Sequence, residues 1–293
     1  MIIKIIILFI LSNYINSTTY THTIVLNDEN TTVDGSAISS DNSSDVYIQD
    51  GENIIHYESE YANETGYGDS TDSSEWHSTE DCNKEKLITI QVSGTYLIRW
   101  TLTGQLAISG SSSDKFVLYF NGANITCNVA PAVIFYTANE IDSTEYEDTS
   151  TTISYDTAAA LNFTDAGAKV IIMDGSVNYI EGSHVAKCYK YTVDENNTRT
   201  YTTSKRAKYD GAIYSKVSMS VEGETNQSGL LYITADNEGL NTEKHLLING
   251  PKIYISSQDD WINTNEEGGS VTLIKDGTIQ INGGLGSEGD GID

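Results

Sequence analysis

The sequence predicts an all-β fold, namely a right-handed single-stranded parallel β-helix preceded by an irregular acidic segment. Three observations lead to this prediction. Short β-type runs alternate with Gly, Asn and Asp turns. No stretch has the 3.6-residue periodicity of an amphipathic helix. The C-terminal third also repeats with a period of about 22 to 30 residues, which is typical of solenoids.

The β-type runs begin near residue 87 and continue to the end of the chain. They are LITIQV, GTYLIRWTL, KFVLYF, AVIFY, KVIIM, VSMSV, LLYIT, HLLI, KIYIS, VTLI and TIQI. Two stretches, 139–160 and 186–209, interrupt this rhythm and are predicted to be longer loops. The second contains six of the 16 basic residues, so it is either a solvated loop or a patch that meets an anionic glycan directly.

The N-terminus predicts a secreted, extracellular protein. Residues 1–17, MIIKIIILFILSNYINS, have one lysine and then an apolar stretch too short to span a bilayer, which is the layout of a signal peptide cleaved near Ser17. The alternative is an N-terminal anchor or a buried strand. In an oxidising compartment, one pair among Cys82, Cys127 and Cys188 could form a disulfide, and their spacing does not choose the pair.

The charge balance excludes some partners. The 293 residues include 42 acids and 16 bases, for a net charge of −26. Nucleic acid and anionic membranes are therefore excluded, because phosphate binding needs clustered Lys and Arg. Residues 18–83 contain no base and 15 acids. We predict an acidic, low-complexity segment over 18–86 and a β-helix domain over 87–293, which we expect to be truncated at its C-terminus.

The repeat is clearest near the C-terminus. LINGPKIYI (247–255) and LIKDGTIQI (273–281) align without gaps at a spacing of 26 residues. An acidic turn follows each of them, DDWIN (259–263) and GDGID (289–293). NEGLN (237–241) is an earlier copy of this turn. The unit is therefore a strand, a turn, a strand and an acidic turn.

Stacking these turns predicts two columns of oxygen-bearing side chains. One column contains Glu238, Asp260 and Asp290, and the other contains Asn241, Asn263 and Asp293. Neighbouring coils lie about 4.7–4.9 Å apart, so stacked carboxylates repel each other. A Ca²⁺ ion with Ca–O distances of about 2.3–2.6 Å fits between two such oxygens.

The candidate Ca²⁺ ligands are oxygen donors throughout. They are Asp259, Asp260, Asp290, Asp293, Glu238, Asn241 and Asn263. The columns contain no His or Cys, which argues against zinc or copper. The alternative is that these side chains only cap turns or form Asn ladders.

Several segments together resemble a known family. They are SGTYLIRWTLTGQLAI (93–108), VLYFNGANIT (117–126), DGAIYSKVSMSV (210–221) and the three acidic turns. They are similar to secreted carbohydrate-binding domains that form parallel β-helices, bind cellulose and polygalacturonate, and fold like family 9 pectate lyases. The resemblance covers roughly residues 87–293.

The resemblance implies a calcium-binding β-helix that recognises plant cell-wall polysaccharide without cleaving it. The family's calcium ligands correspond to Asp259, Asp260, Asp290 and Asp293. At NEGLN the family's aspartates are replaced by Glu238 and Asn241. Trp261 stands where the family usually has Gly, and it is either a sugar-stacking platform or a buried cap.

Two other functions remain open from the sequence. A calcium-dependent pectate lyase would need a Lys or Arg base beside the acidic turns. Lys244 and Lys275 are the nearest in sequence, but neither is diagnostic, so we assign no catalytic residue. A surface adhesin or structural repeat protein without a specific glycan is the other alternative.

Overall fold

The structure is a computed structural model that describes residues 18–56, 67–68, 79–143, 154–264, 269–282 and 289–293. The predicted signal peptide and most of the low-complexity stretch 69–81 lie outside the described residues. The described elements are almost all strands, which confirms the all-β class. Within them, no helix is long and apolar enough to cross a membrane.

Short strands dominate the chain from end to end. The strands are β1 (His22–Leu26), β2 (Thr32–Val33), β3 (Ser36–Ala37), β4 (Val46–Asp50), β5 (Tyr67–Gly68), β6 (Lys86–Ile90), β7 (Gly94–Ser109), β8 (Phe116–Thr126), β9 (Val133–Thr137), β10 (Ala168–Ile172), β11 (Val177–Gly182), β12 (Val185–Val193), β13 (Arg199–Lys208), β14 (Gly211–Ser215), β15 (Met219–Gly223), β16 (Leu230–Ala235), β17 (Glu238–Thr242), β18 (Leu246–Ser256), β19 (Ile262–Thr264) and β20 (Thr272–Ile281). The described helices are α1 (Thr79–Cys82) and α2 (Tyr155–Ala159), with 3₁₀ turns at Gly51–Asn53 and Phe163–Asp165.

Most strands stack in parallel in three ladders. Ladder 1 contains β1, the first parts of β7 and β8, β10, β15, and the first parts of β18 and β20. Ladder 2 contains the later parts of β7 and β8, β11, β16, and the later parts of β18 and β20. Ladder 3 contains β6, the end of β7, β9, β14, β17 and β19.

The predicted repeat sets the register of the last described coils. Leu247 pairs with Leu273 and Ile253 pairs with Ile279. Both pairs have the spacing of 26 residues that the sequence predicts, and the pairing shifts by one residue between them, where Asn249 pairs with Asp276. Because side chains alternate between the two faces of a strand, the same register keeps the apolar residues of both copies on one face.

The core is built from columns of apolar side chains that point inward from the ladders. In ladder 1, Leu118, Val170, Val221 and Ile248 are in register from coil to coil, and all four are fully buried. The strand β11 shows the alternation clearly, because exposed and buried residues follow each other along its whole length. Burial of these columns is the main favourable contribution to folding.

The N-terminal segment is less irregular than the sequence predicts. The strand β1 extends ladder 1 by pairing in parallel with β7, and β4 pairs antiparallel with β6. Ile24 and Leu26 of β1 are buried in the same core cluster as the later coils. These strands cover edges that the first coils would otherwise leave open to other chains.

The stretch 186–209 is a β-hairpin, so its prediction as a long loop was wrong. The strands β12 and β13 pair antiparallel, and β5 pairs with β12. The turn is polar, with the Asp194 carboxylate accepting hydrogen bonds from the backbone N–H groups of Asn196 and Thr198 at 2.9 and 2.8 Å. Asn197 adopts a left-handed conformation with φ of 65°, which Asn tolerates.

The cysteines do not show a disulfide among the residues that the structure describes. Cys82 and Cys127 are buried free thiols, while the side chain of Cys188 lies outside the description. Burial raises the pKa of the Cys82 thiol to about 11, helped by the charges of Glu85 and Asp81. Cys82 is therefore an unreactive core residue.

Candidate functional site

The three acidic turns lie next to each other where the strands of ladder 3 begin. Leu240 pairs with Ile262, and Ile262 forms a bridge with Ile292. Counting from these pairs, the residues of the three acidic turns fall into two columns, as the sequence alignment predicts. The first column is Glu238, Asp260 and Asp290, and the second is Asn241, Asn263 and Asp293.

Glu238 is the centre of a buried network of acids and amides. Its side chain is 5% exposed, and that of Asn241 is fully buried. Asn263 Nδ2 donates to Glu238 Oε1 at 2.8 Å, and Asn241 Nδ2 donates to the other oxygen, Oε2. Asn241 Nδ2 also lies 2.9 Å from Asp210 Oδ1. The two amides therefore hold two carboxyl groups close together in the interior.

Burial makes these carboxyl groups hard to ionise. The pKa of Glu238 is raised by burial first and by the charge of Asp210 second, against the lowering effect of the two amide hydrogen bonds. The pKa of Asp210 is also raised by burial, with smaller opposing contributions that include the charge of His184. Burial and neighbouring like charges both penalise a carboxylate, so the pair strongly disfavours two full negative charges.

The next coil adds a second group of acids, nearer to the surface. Asp260 is 8% exposed and accepts a hydrogen bond from the backbone N–H of Asp290 at 2.6 Å. Burial raises its pKa, and the charges of Asp259, Asp293 and Asp290 raise it further. Negative charge is therefore concentrated over two successive turns of the stack.

The donor types of this cluster fit a hard cation. Carboxylate oxygens, amide oxygens and turn carbonyls are the ligands that Ca²⁺ prefers. Among the described residues, however, no three His, Cys, Asp or Glu side chains are already gathered as a metal cluster. The acids stack in pairs along the columns, so a cation here would draw its remaining ligands from amides and the backbone.

Trp261 lies against the core at the same turn. It is partly buried and packs on the main core cluster. Gly291 of the following turn covers its ring, because a Cβ at Gly291 would lie 2.9 Å from Trp261 Cζ3. Of the two roles that the sequence left open, this placement favours the buried cap. The role of Trp261 as a sugar platform stays a prediction.

A shallow pocket of about 240 Å³ lies beside the acidic turns, between ladders 2 and 3. Its wall includes Glu181, Thr234 and Asp236. Asp236 is fixed in place, since Ser183 Oγ donates to its Oδ2 at 2.6 Å and His184 Nδ1 lies 3.2 Å from its Oδ1. Small polar groups therefore surround a space that is open to solvent.

The outer face of ladder 2 carries a feature that sequence reasoning missed. Tyr179, Tyr232 and Tyr254 are in register on successive coils. Their rings stack with centroids 5.0 and 4.8 Å apart and interplanar angles of 13° and 16°. Aligning LLYIT (230–234) with KIYIS (252–256) would have revealed two of the three tyrosines, because both runs belong to the repeat.

The candidate catalytic bases gain no support from this geometry. Lys275 is exposed on β20, in the part of the strand that pairs within ladder 1 rather than ladder 3. Lys244 follows β17 and donates its backbone N–H to Thr242 Oγ1 at 3.2 Å. The assignment of no catalytic residue stays a prediction.

Comparison with family models identifies the chain. A family model described as "carbohydrate-binding domain-containing protein" matches residues 84–170 and 149–293, well over half of the sequence. The chain belongs to this carbohydrate-binding family. No curated protein sequence matches it significantly.

A solved structure supports the fold of this carbohydrate-binding protein. The polysaccharide lyase-like protein from C. thermocellum, solved as a gadolinium derivative, matches with a TM-score of 0.51 and 18% sequence identity. The match covers 92% of this chain and 72% of the other. At this identity the similarity is one of fold.

Proposed function

We propose that this protein is a secreted, calcium-dependent carbohydrate-binding protein that recognises plant cell-wall polysaccharide, either cellulose or polygalacturonate or both. Membership of the carbohydrate-binding family supports the general function. The calcium dependence is carried by one observation, the buried acids and amides that stack in register at the acidic turns. Secretion follows from the predicted signal peptide.

We further propose that the stack is a right-handed single-stranded parallel β-helix. From β7 to β19, each turn of chain contributes strands to all three ladders, and β7 by itself passes through all three. In the last described coils the spacing between paired residues is close to the predicted period, for example from Leu231 to Ile253 and from Ile253 to Ile279. Earlier in the stack, Val170 lies about twice that far along the chain from its partners Leu118 and Val221, because longer segments connect those coils. A solenoid of this kind brings equivalent turns together, which is what the calcium proposal needs.

The calcium proposal rests on electrostatics. Coils in a parallel stack lie about 4.8 Å apart, so Glu238 and Asp260 occupy neighbouring levels of one column while both are buried. Without a cation, their negative charges repel each other and resist ionisation. A Ca²⁺ ion between the levels would neutralise the repulsion and cross-link the coils. The proposed ligands are Asp259, Asp260, Asp290, Asp293, Glu238, Asn241 and Asn263.

Calcium would also explain how an acidic protein holds an acidic glycan. With a net charge of −26, the surface repels polygalacturonate in the absence of a cation. A surface-accessible calcium ion near Asp290 and Asp293 can accept a uronate carboxylate as a further ligand. Neutral cellulose needs no such bridge.

The test is a binding series on cellulose, xylan and polygalacturonate, each with calcium and with EDTA. We expect calcium to be required for polygalacturonate binding, and Asp260→Asn to weaken that binding about tenfold or more, which corresponds to the loss of one strong ligand. Glu52→Gln is the matched control, because it removes an exposed acid from the 3₁₀ turn at Gly51–Asn53, away from both ladder 2 and the acidic turns. Polygalacturonate binding that EDTA leaves unchanged would overturn the calcium dependence.

The same series separates binding from cleavage. A lyase leaves an unsaturated product that absorbs in the ultraviolet, so absorbance is followed during incubation with calcium and pectate. We expect no increase in absorbance. A steady increase that requires calcium would replace the binding proposal with the lyase alternative.

A further inference from the structure

The outer face of ladder 2 carries an aromatic strip, defined as Trp100, Tyr179, Tyr232 and Tyr254. Register places the three tyrosines on successive coils, and their column continues through Asn124 and Thr101 on the two coils before them. Trp100 precedes Thr101 by one residue, so it lies beside the far end of this column. At a coil spacing of about 4.8 Å, the strip is roughly 20 Å long and runs along the stack axis. This length suits an extended chain molecule better than a small ligand.

Two of the four strip residues are exposed, and Tyr232 and Tyr254 are partly exposed. Among the described residues, eight large hydrophobic side chains are exposed, and three of them belong to this face, Trp100 at 63%, Tyr179 at 50% and Val177 at 40%. Contiguous exposed apolar surface on a soluble protein marks an interaction site more often than scattered single residues do.

Trp100 has a strained backbone conformation, and its side chain is not part of the core. Its φ of 73° lies in the left-handed region, which is a costly position for a bulky side chain. The strand pairing shifts register between Ile98 and Trp100, and Trp100 ends exposed although its partner Ala123 is fully buried. The irregularity therefore presents the indole to solvent, where it contributes little to core packing.

The tyrosine hydroxyls are available for a ligand. Within the described part of the chain, the hydroxyls of Tyr179, Tyr232 and Tyr254 make no hydrogen bond to a protein group. Because the rings stack on each other, they present their edges and hydroxyls outward rather than their faces. Ring edges are electropositive and attract oxygen lone pairs, and each hydroxyl both donates and accepts.

The residues beside the strip are mostly neutral and polar. The adjoining column on one side is Thr126, Glu181, Thr234 and Ser256, all in register. On the other side Lys252 pairs with Leu230 and Thr278. The charges of Glu181 and Lys252 offset each other. This face therefore has neither the positive charge that a polyanion needs nor the acidic cluster of ladder 3.

We propose that the aromatic strip binds a neutral polysaccharide chain, laid along the stack axis. Trp100 would pack against the C–H face of a pyranose ring, and the row of tyrosine hydroxyls would bond to sugar hydroxyls on the coils that follow. This inference rests on the proposed carbohydrate-binding function and divides it between two surfaces. Neutral glycan binds on ladder 2 without calcium, and acidic glycan binds through calcium at ladder 3.

The test is affinity electrophoresis of the whole chain in gels containing hydroxyethylcellulose or polygalacturonate. Trp100→Ala and Tyr179→Ala should each weaken retention by hydroxyethylcellulose about five- to tenfold, with or without EDTA. Calcium-dependent retention by polygalacturonate should stay within about twofold. The matched control is Ile274→Ala, which removes an exposed apolar side chain from ladder 1 and should change neither.

Isosteric variants keep the test valid if an alanine variant does not fold. Tyr232→Phe and Tyr254→Phe together preserve the stack and remove two hydroxyls, and should weaken hydroxyethylcellulose retention about three- to tenfold. Unchanged retention in the tyrosine and Trp100 variants, or an equal loss in Ile274→Ala, overturns the inference. So does a dimer in size-exclusion chromatography that Tyr179→Ala converts to monomer, because a second copy would then cover the strip.

The outcomes also separate this inference from the proposed function. If the unaltered protein binds no glycan with or without calcium, both fail. If it binds hydroxyethylcellulose and the strip variants bind equally well, only the assignment of the strip fails. If polygalacturonate binding disappears in EDTA while the strip variants lose only neutral glycan, both are supported.

Discussion

At the scale of single residues, the chemistry centres on Glu238. Its carboxyl group is buried and faces Asp210 through the amide of Asn241, while Asn263 donates to its other oxygen. Buried carboxylates stay charged only when a positive group or several donors compensate for the lost hydration. The hydrogen bonds from the two amides replace part of the lost hydration, and a bound cation would compensate for the rest.

Replacing Glu238 tests this balance directly. In EDTA, Glu238→Gln should stabilise the protein by roughly 1–3 kcal/mol at neutral pH, because burial raises the pKa of Glu238 to about 8 and the unaltered protein must take up a proton there on folding. The same variant should lose most of the stabilisation that calcium gives the unaltered protein. Urea unfolding with and without calcium measures both effects, with Glu52→Gln as the exposed control. A Glu238→Gln protein that is destabilised in EDTA and still gains fully from calcium would contradict this account.

At the scale of elements, close approach between coils constrains β7. Gly104 lies where β7 passes from ladder 2 to ladder 3, and a Cβ there would lie 1.9 Å from the carbonyl oxygen of Lys86 in β6. Its φ of 147° is also rarely adopted by other residues. Gly122 in β8 has a φ of 78° but open space around it. Comparing substitutions at these two glycines therefore separates the cost of backbone strain from the cost of a steric clash.

The matched substitutions should differ clearly. Gly122→Ala should cost about 1–2 kcal/mol from left-handed strain alone. Gly104→Ala should cost at least about 3 kcal/mol, because strain is joined by a clash with backbone that cannot move without breaking the pairing of β6 and β7. Urea unfolding of the two variants measures the difference. Equal costs would show that the two strands do not approach this closely.

The sequence predicted some elements much better than others. The spacing of 26 residues gave the register of β18 and β20, because both copies keep the same apolar columns. The hairpin of β12 and β13 was missed because its sequence is polar and rich in Thr and contains no continuous apolar run. The pairing of β1 with β7 is likewise hidden, since contacts between residues some 70 positions apart leave no local signal.

The candidate site shows the same division. The acidic columns were predictable because the turns repeat with the coils, so alignment alone places Glu238 over Asp260. Asp210 was missed as a member of the buried network, since it precedes the aligned position by one residue and reaches Asn241 only through the fold. Trp100 gave no signal because its exposure depends on a local shift of register.

At the scale of the whole molecule, stability should depend on pH in a way that calcium removes. Burial raises the native pKa values of Glu238, Asp210 and Asp260, so the native state holds protons that the unfolded state releases above about pH 4. In EDTA the contribution of these three acids to the free energy of unfolding should therefore be highest at or below that pH. It should fall as the pH rises through the raised native values.

Thermal unfolding from pH 4 to pH 8 in EDTA measures this dependence, and the same series in calcium is the control. With calcium the acids are held as carboxylates, so we expect Tm to fall less, or to rise, over that range. An identical decrease of Tm in both series would mean that no cation binds these acids in the native state.

The most direct test of the central claim is calorimetric titration of Ca²⁺ into protein stripped of metal with EDTA and dialysed. The account predicts saturable binding of at least one ion, with proton release near neutral pH as the raised carboxyl groups ionise. In Asp260→Asn combined with Glu238→Gln, that binding should weaken at least about tenfold, whereas Glu52→Gln should leave it unchanged. No saturable calcium binding by the unaltered protein, or equal binding by the double variant, would contradict the account.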